Sequence, residues 1–281
     1  MGKALVVNGL SVSKPLMRVH LYMTQADIIL ADYLRGNTSI NDVEKNALKT
    51  FVNTLYEANL WGKMKYFYPI IGENVSDALL NVIDPSGDDI FKNADVTNLT
   101  ISNRTLIVNT TSSYKGNTIV GDRAKSLDIN NISFISAFTA NINNTGMYVA
   151  MMGTQVGGGS IGINELASNA VLYSYIKDGY GTYSFKTPST SDVSRIVCGT
   201  TSDSKAHLFY KEDSPVESDI FTSPAATIIS KGNKVLEYVS SVEGGNPLNF
   251  FAIGDGLTHS EWLLFYSALK TYLLALNRIV A

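Results

Sequence analysis

Gly157-Gly158-Gly159-Ser160-Ile161-Gly162 has the spacing of a dinucleotide-binding turn, and Asp178 lies where a ribose-binding carboxylate would follow. That chemistry needs a strand, a tight turn and a helix whose amino terminus receives the pyrophosphate. Here strand-like sequence flanks the glycines on both sides. Asp178 falls in Lys177-Asp178-Gly179, a hairpin signal because Asp-Gly supplies the positive φ of a tight turn. The stretch reads as a sheet-edge loop, and no Gly-Lys-Ser/Thr follows to make a phosphate loop.

The other reactive side chains are scattered. His20, His207 and His259 are far apart, and none forms a His-x-x-x-His pair or neighbours a cysteine, so no metal site is expected. A β-sheet glycosidase needs two carboxylates at a fixed separation, which a Glu-x-Asp-x-Glu strand would supply. Asp88-Asp89, Glu212-Asp213 and Glu217-x-Asp219 are adjacent or loop-like instead, and read as solvated turns. The single cysteine, Cys198, has no partner in the chain and reads as a small buried apolar residue. The expectation is a protein that is not an enzyme, with no catalytic residue, cofactor or metal. Tyr180, Tyr183 and Tyr210 remain as rings able to stack on a sugar face, although a sheet also uses tyrosines as half-buried strand residues.

Three zones would position these residues. Residues 1–23 carry apolar clusters without a core of their own and read as an extended arm. Residues 24–62 are helical. Thr24 caps a short helix closed by Gly36, and Asn41 with Glu44 makes a capping box for a second. Val43, Ala47, Leu48, Phe51, Val52, Leu55 and Leu60 then recur at helical spacing as its buried face, leaving Glu44, Lys45, Lys49 and Asn53 outward. From Tyr66 the period becomes two. Runs such as 133–139, 147–151, 172–176 and 207–210 are rich in β-branched and aromatic residues, and turn residues bound them. Thr258-His259-Ser260-Glu261 opens a terminal helix over 258–278, with Asn277 and Arg278 in its last turn. The division is an arm at 1–23, a helical neck at 24–62 and a β domain at 63–281.

At 281 residues the chain can bury a core without metal or disulfide support. Its net charge of −3 gives no electrostatic case for nucleic-acid binding. No apolar run approaches the roughly 18 residues of a membrane span. The start, MGKALVVNGLSVSKP, lacks the apolar core of a signal peptide, so a soluble protein made in the cytoplasm is expected.

The stretch from Ala26 to Pro85 resembles tailed-phage virion structural proteins with a concanavalin-A-like jelly roll. The resemblance rests on Leu60-Trp61-Gly62-Lys63, Phe67-Tyr68-Pro69, Gly72 and Asn81-Val82-Ile83-Asp84-Pro85. SRIVCGTTSDSKAHLFYKEDSPVES resembles an internal hairpin of that family, with Glu212-Asp213 where Asn-Gly is usual. FFAIGDGLTHSEWLLFYSALKTYLLALNRIV resembles its ending.

The resemblance implies a mainly β jelly-roll sandwich, with helix 42–60 covering its first strand. Trp61 would plug the joint, worth about 2–3 kcal/mol if fully buried. It also implies a capsid auxiliary, decoration or head-fibre protein on the virion surface. The partners would be major capsid or other virion proteins, with self-association open, reached through Val6, Val7, Leu10 and Val12 by strand addition. The alternative is a tail-associated, lectin-like adhesin that recognises host glycans through Tyr180, Tyr183 and Tyr210.

Overall fold

The computed structural model describes residues 24–86, 99–108, 114–116, 131–139, 147–153, 160–166, 171–177, 182–186, 194–202, 205–210, 216–219, 236–240 and 248–279. Helix α1 (Gln25–Gly36) starts at a Thr24/Asp27 capping box, and α2 (Asp42–Glu57) at the Asn41/Glu44 box. A 3-10 turn over Trp61–Lys63 then delivers the chain into strand β1 (Met64–Tyr68). The answer to how helix becomes strand here is an asparagine. Asn59 takes φ 58°, Leu60 N–H bonds Leu55 O at 2.8 Å and Asn59 N–H bonds Tyr56 O at 3.0 Å. This left-handed ending satisfies the last carbonyls of α2 and turns the backbone sharply.

Short helix α3 (Val75–Ala78) follows, and then thirteen further strands among the described residues. They are β2 (Leu99–Ser102), β3 (Thr105–Val108), β4 (Tyr114–Gly116), β5 (Ile132–Thr139), β6 (Met147–Gly153), β7 (Ser160–Leu166) and β8 (Val171–Lys177). After them come β9 (Thr182–Lys186), β10 (Ser194–Ser202), β11 (Lys205–Tyr210), β12 (Val216–Asp219), β13 (Leu236–Ser240) and β14 (Leu248–Gly254). Helix α4 (His259–Ala275) begins at the Thr258/Glu261 box and ends, like α2, on a left-handed asparagine, Asn277 at φ 55°.

The strands form two antiparallel sheets. One runs β12-β11-β10-β5-β14-β3-β2, the other β4-β13-β6-β7-β8-β9. β5 takes one edge of β14. The other edge is shared, with β1 on residues 251–254 and β3 at Leu248. The sheets meet where β10 lies over β7 and where the edge strands β12 and β9 come together. β8 and β9 pair from Lys177↔Thr182 onward, the antiparallel hairpin that Asp178-Gly179 signals.

The core gathers Leu30 and Tyr33 of α1, Leu48, Phe51 and Leu55 of α2, Phe67 of β1, Phe250 of β14 and Phe265, Leu269 and Leu273 of α4. The helical zone therefore shares one continuous core with the eight-stranded sheet. Phe51 is its hub, with ring centroids 5.0 Å from Tyr272, 5.4 Å from Phe67 and 5.6 Å from Phe250. Asn81, fully buried, accepts from the backbone N–H of Phe67 and of Ile83, each at 3.1 Å, and so ties the segment after α3 to β1.

Several expectations need correcting. Glu44 is 2% exposed rather than outward, and Val43 is 60% exposed rather than buried. Helix α2 is rotated so that its first-turn carboxylate meets Arg104, an ion pair that outweighs the burial of one valine. Trp61 is only half-buried, edge-on to Phe67 at 5.1 Å, because Leu60 already fills the joint. The fully buried tryptophan is Trp262. Gly36 does end α1, as expected. It is the last helical residue, and a side chain there would crowd Leu80 at 3.2 Å.

Candidate functional site

A concave feature lies between α2 and α4. Small residues recur on both: Ala47, Thr50, Thr54 and Ala58 on one helix, Ser267, Ala268, Thr271 and Ala275 on the other. Residues three and four apart share a helix face, so each set makes a low wall. Between them is a groove of about 550 Å³, floored by the stacked rings of Phe51 and Tyr272. Val43 and Leu264 stand at its mouth, 60% and 53% exposed.

The threonines are less polar here than their type suggests. Thr50, Thr54 and Thr271 each donate the hydroxyl to the carbonyl four residues back, at 3.0, 2.9 and 2.9 Å. With the hydroxyls used inside the helices, these residues offer the groove mainly methyl groups. Tyr272 is the one ionisable lining residue, and its hydroxyl donates to Pro69 O at 2.9 Å. Burial pushes that phenol well above its ordinary range. The groove can hold an apolar segment; it offers no acid, base or nucleophile.

Behind the floor lies a buried ionic clasp. Glu44 accepts from Arg104 Nη1 at 2.6 Å, from Asn41 N–H at 3.1 Å and from Gly72 N–H at 3.3 Å. The second guanidinium arm of Arg104 reaches Glu73 at 2.7 Å. Arg278, its side chain 4% exposed, sits 4.0 Å from Glu44. It donates to Asn249 O at 3.1 Å, to Pro69 O at 3.5 Å and to Arg104 O. Burial lowers the Arg278 pKa from its ordinary value. The clasp joins α2, the turn after β1, the β2–β3 turn and the end of α4.

The same turn carries backbone strain. Ile70 has φ 49°, a conformation β-branched residues avoid, and the pinned Pro69 carbonyl beside it holds the turn. At Gly72, φ 102°, a Cβ would come within 2.8 Å of Ser39 Oγ, so only glycine fits. Arg278 is thus not a dipole partner at the end of α4, since its side chain turns inward to these carbonyls.

The arm residues Val6, Val7, Leu10 and Val12 lie outside the described residues, as do His20, Tyr180, Asp178 and Gly157–Gly159. Ser160–Gly162 open β7, antiparallel to β6 and β8, where a dinucleotide turn would open a helix. Tyr183 pairs with Ile176 in the six-stranded sheet and Tyr210 with Val197 in the other, so the two are not brought together on one sheet. His207 and His259 lie 5.8 and 5.6 Å from Phe209, each ring stacked on it. Cys198 is fully buried, and burial raises its thiol far above the ordinary value. The groove and the clasp were both missed in the sequence. The spacing of Ala47, Thr50, Thr54 and Ala58 was a signal for the groove, masked by the larger residues between them.

No protein-family model and no curated protein matches the chain. Solved structures do. A sialidase of Trypanosoma rangeli in complex with 2,3-difluoro-KDN aligns with a TM-score of 0.50 at 10% identity, over 74% of this chain and 32% of that one. The CBM40 of a Ruminococcus gnavus IT-sialidase aligns with a TM-score of 0.43 at 12% identity, over 58% of this chain and 96% of that one. The same module bound to alpha2,3 sialyllactose gives 0.44 at 11% identity. The chain spans about a third of the sialidase it matches, and the likeness concerns the fold: antiparallel β with few helices.

Proposed function

We propose that this chain is a non-enzymatic structural protein of a tailed-phage virion. It is of the capsid auxiliary, decoration or head-fibre kind, with a concanavalin-A-like jelly roll displayed outward and the arm at 1–23 as its attachment. The observation that carries this reading is how the three stretches resembling that family interlock. Lys63, in the first, bonds Glu261 at 2.7 Å and Gly256 O at 3.1 Å in the third. The backbone carbonyl of Lys63 accepts from Asp255 N–H at 2.8 Å. Phe209, in the second, stacks on Trp262 of the third at 5.9 Å. That stretches which each resemble one family also pack into one core is what this reading expects of the whole unit.

The test is to locate the protein in particles of the encoding phage by mass spectrometry and immunogold labelling. Many copies over the head are expected. A few copies at the tail tip would instead favour the glycan-binding adhesin, with Tyr180, Tyr183 and Tyr210 as the next residues to mutate. Absence from the particle would end both readings.

A further inference from the structure

We propose that the groove between α2 and α4 is the docking site of the chain's own arm, residues 1–23, held in cis before any partner engages it. This concerns the free chain and stands whether or not the protein belongs to a virion. The first ground is where the arm leaves the described body. Ala26 N–H donates to Asn53 Oδ1 at 3.3 Å, and Asp27 pairs with Lys49. Asn53 and Lys49 immediately neighbour Thr54 and Thr50 on α2, which line the groove. The arm therefore emerges beside one wall. Twenty-three residues can span roughly 75 Å when extended, against roughly 24 Å for the length of α2. A tethered segment at this range sees its site at an effective concentration on the order of millimolar.

The second ground is shape. A second copy docked groove to groove would bring the same concave face, which cannot fill a concavity, whereas a single segment with bulky side chains can. The arm carries Leu5, Val6, Val7, Leu10, Val12, Leu16, Met17 and Val19, apolar residues that need a place to be buried. The third is charge. The arm contains Lys3, Lys14 and Arg18 and no acid. Removing these three cations from the whole-chain balance of −3 leaves −6 on the remainder. Asp42 and Glu57, both exposed, mark the two ends of α2 along the groove. A cationic apolar arm and an anionic body with an apolar groove are complementary.

The test uses the full-length chain with paired cysteines. Leu10→Cys is combined with Thr271→Cys in the groove wall or, as control, with Asp32→Cys on the exposed face of α1. Native Cys198 is buried and gives little background. After mild oxidation, non-reducing gels and peptide mapping should show an intrachain disulfide forming at least about tenfold faster for the groove pair than for the control. Ala275→Trp, which fills the groove from its open side, should abolish that advantage while the urea unfolding midpoint confirms a folded body. Equal rates for both pairs, or no crosslink, would overturn the proposal. A crosslink only between chains would overturn it in favour of arm exchange with a second copy.

Discussion

Replacing Arg278 by methionine tests the account of the buried clasp most directly. The side chain is 4% exposed and its guanidinium serves three carbonyls, those of Pro69, Asn249 and Arg104, while standing 4.0 Å from Glu44. Hydrogen bonds to a charged group contribute about 1.5–3 kcal/mol each, though not additively. Breaking a buried ionic contact by removing one partner costs about 3–5 kcal/mol. Methionine keeps most of the volume, so little of the loss is cavity. Arg278→Met should therefore destabilise by about 3–5 kcal/mol, read from urea unfolding at neutral pH. Two unit charges at about 4 Å attract by about 4 kcal/mol at an effective dielectric of 20, an upper bound on the Glu44 share. Glu44→Gln keeps an acceptor for Asn41 and Gly72 while removing the charge. Combined with Arg278→Met it should cost about 1–3 kcal/mol less than the two single changes added. Because the pair is buried, moderate salt should leave these values nearly unchanged. A single-variant cost below about 1 kcal/mol, or strict additivity, would mean that Arg278 and Glu44 are not coupled in the core.

Trp262→Ala should cost about 3–5 kcal/mol and Trp61→Ala about 1–2 kcal/mol, since only the first is fully buried; equal costs in denaturant titration would contradict that assignment. A Cβ at Gly254 would stand 2.6 Å from Lys63 O, so Gly254→Ala should lose about 1–3 kcal/mol. An unchanged unfolding midpoint would mean the β1–β14 contact is looser than described. Burial alone would raise the Glu261 pKa, but bonds from Lys63 and Thr258 outweigh it and hold the carboxyl below its ordinary 4.5. A depressed folded-state pKa contributes stability above the unfolded value that is lost as pH falls through the folded one. The wild type should thus lose stability below pH 4.5 more steeply than Glu261→Gln, and parallel pH profiles would argue against the Lys63 contact.

What was legible in the sequence was local. The capping boxes at Thr24, Asn41 and Thr258 span four residues, and the structure forms the last two where the pattern places them and adds Asp27 to the first. The strands rich in β-branched and aromatic residues and the β8–β9 hairpin were readable for the same reason. Glu44 shows where that reasoning stops. As the third residue of a helix it caps, which sequence reveals. Its ion pair with Arg104 lies sixty positions away, and no periodicity reports that. Arg278 hid in the same way, since its partners come from β14 and from two turns. The exposure of Val43 follows from the rotation that brings Glu44 inward. The groove was legible only as a spacing of small residues, which have no meaning until a second helix lies alongside.

Strand β14 carries a consequence for biogenesis. It sits between β5 on one side and β1 and β3 on the other, although it follows every other described strand in the chain. During synthesis those three neighbours leave the ribosome first and present unpaired hydrogen-bonding edges until residues 248–254 emerge. Exposed edges of this kind are templates for pairing with other chains. Closure of the sheet therefore waits for residues 248–254, and the contacts it makes are far apart in sequence, which slows folding. Chains cut short before residue 248 lack the keystone and should collect as aggregates, while chains that reach α4 gain the strand and its covering helix together.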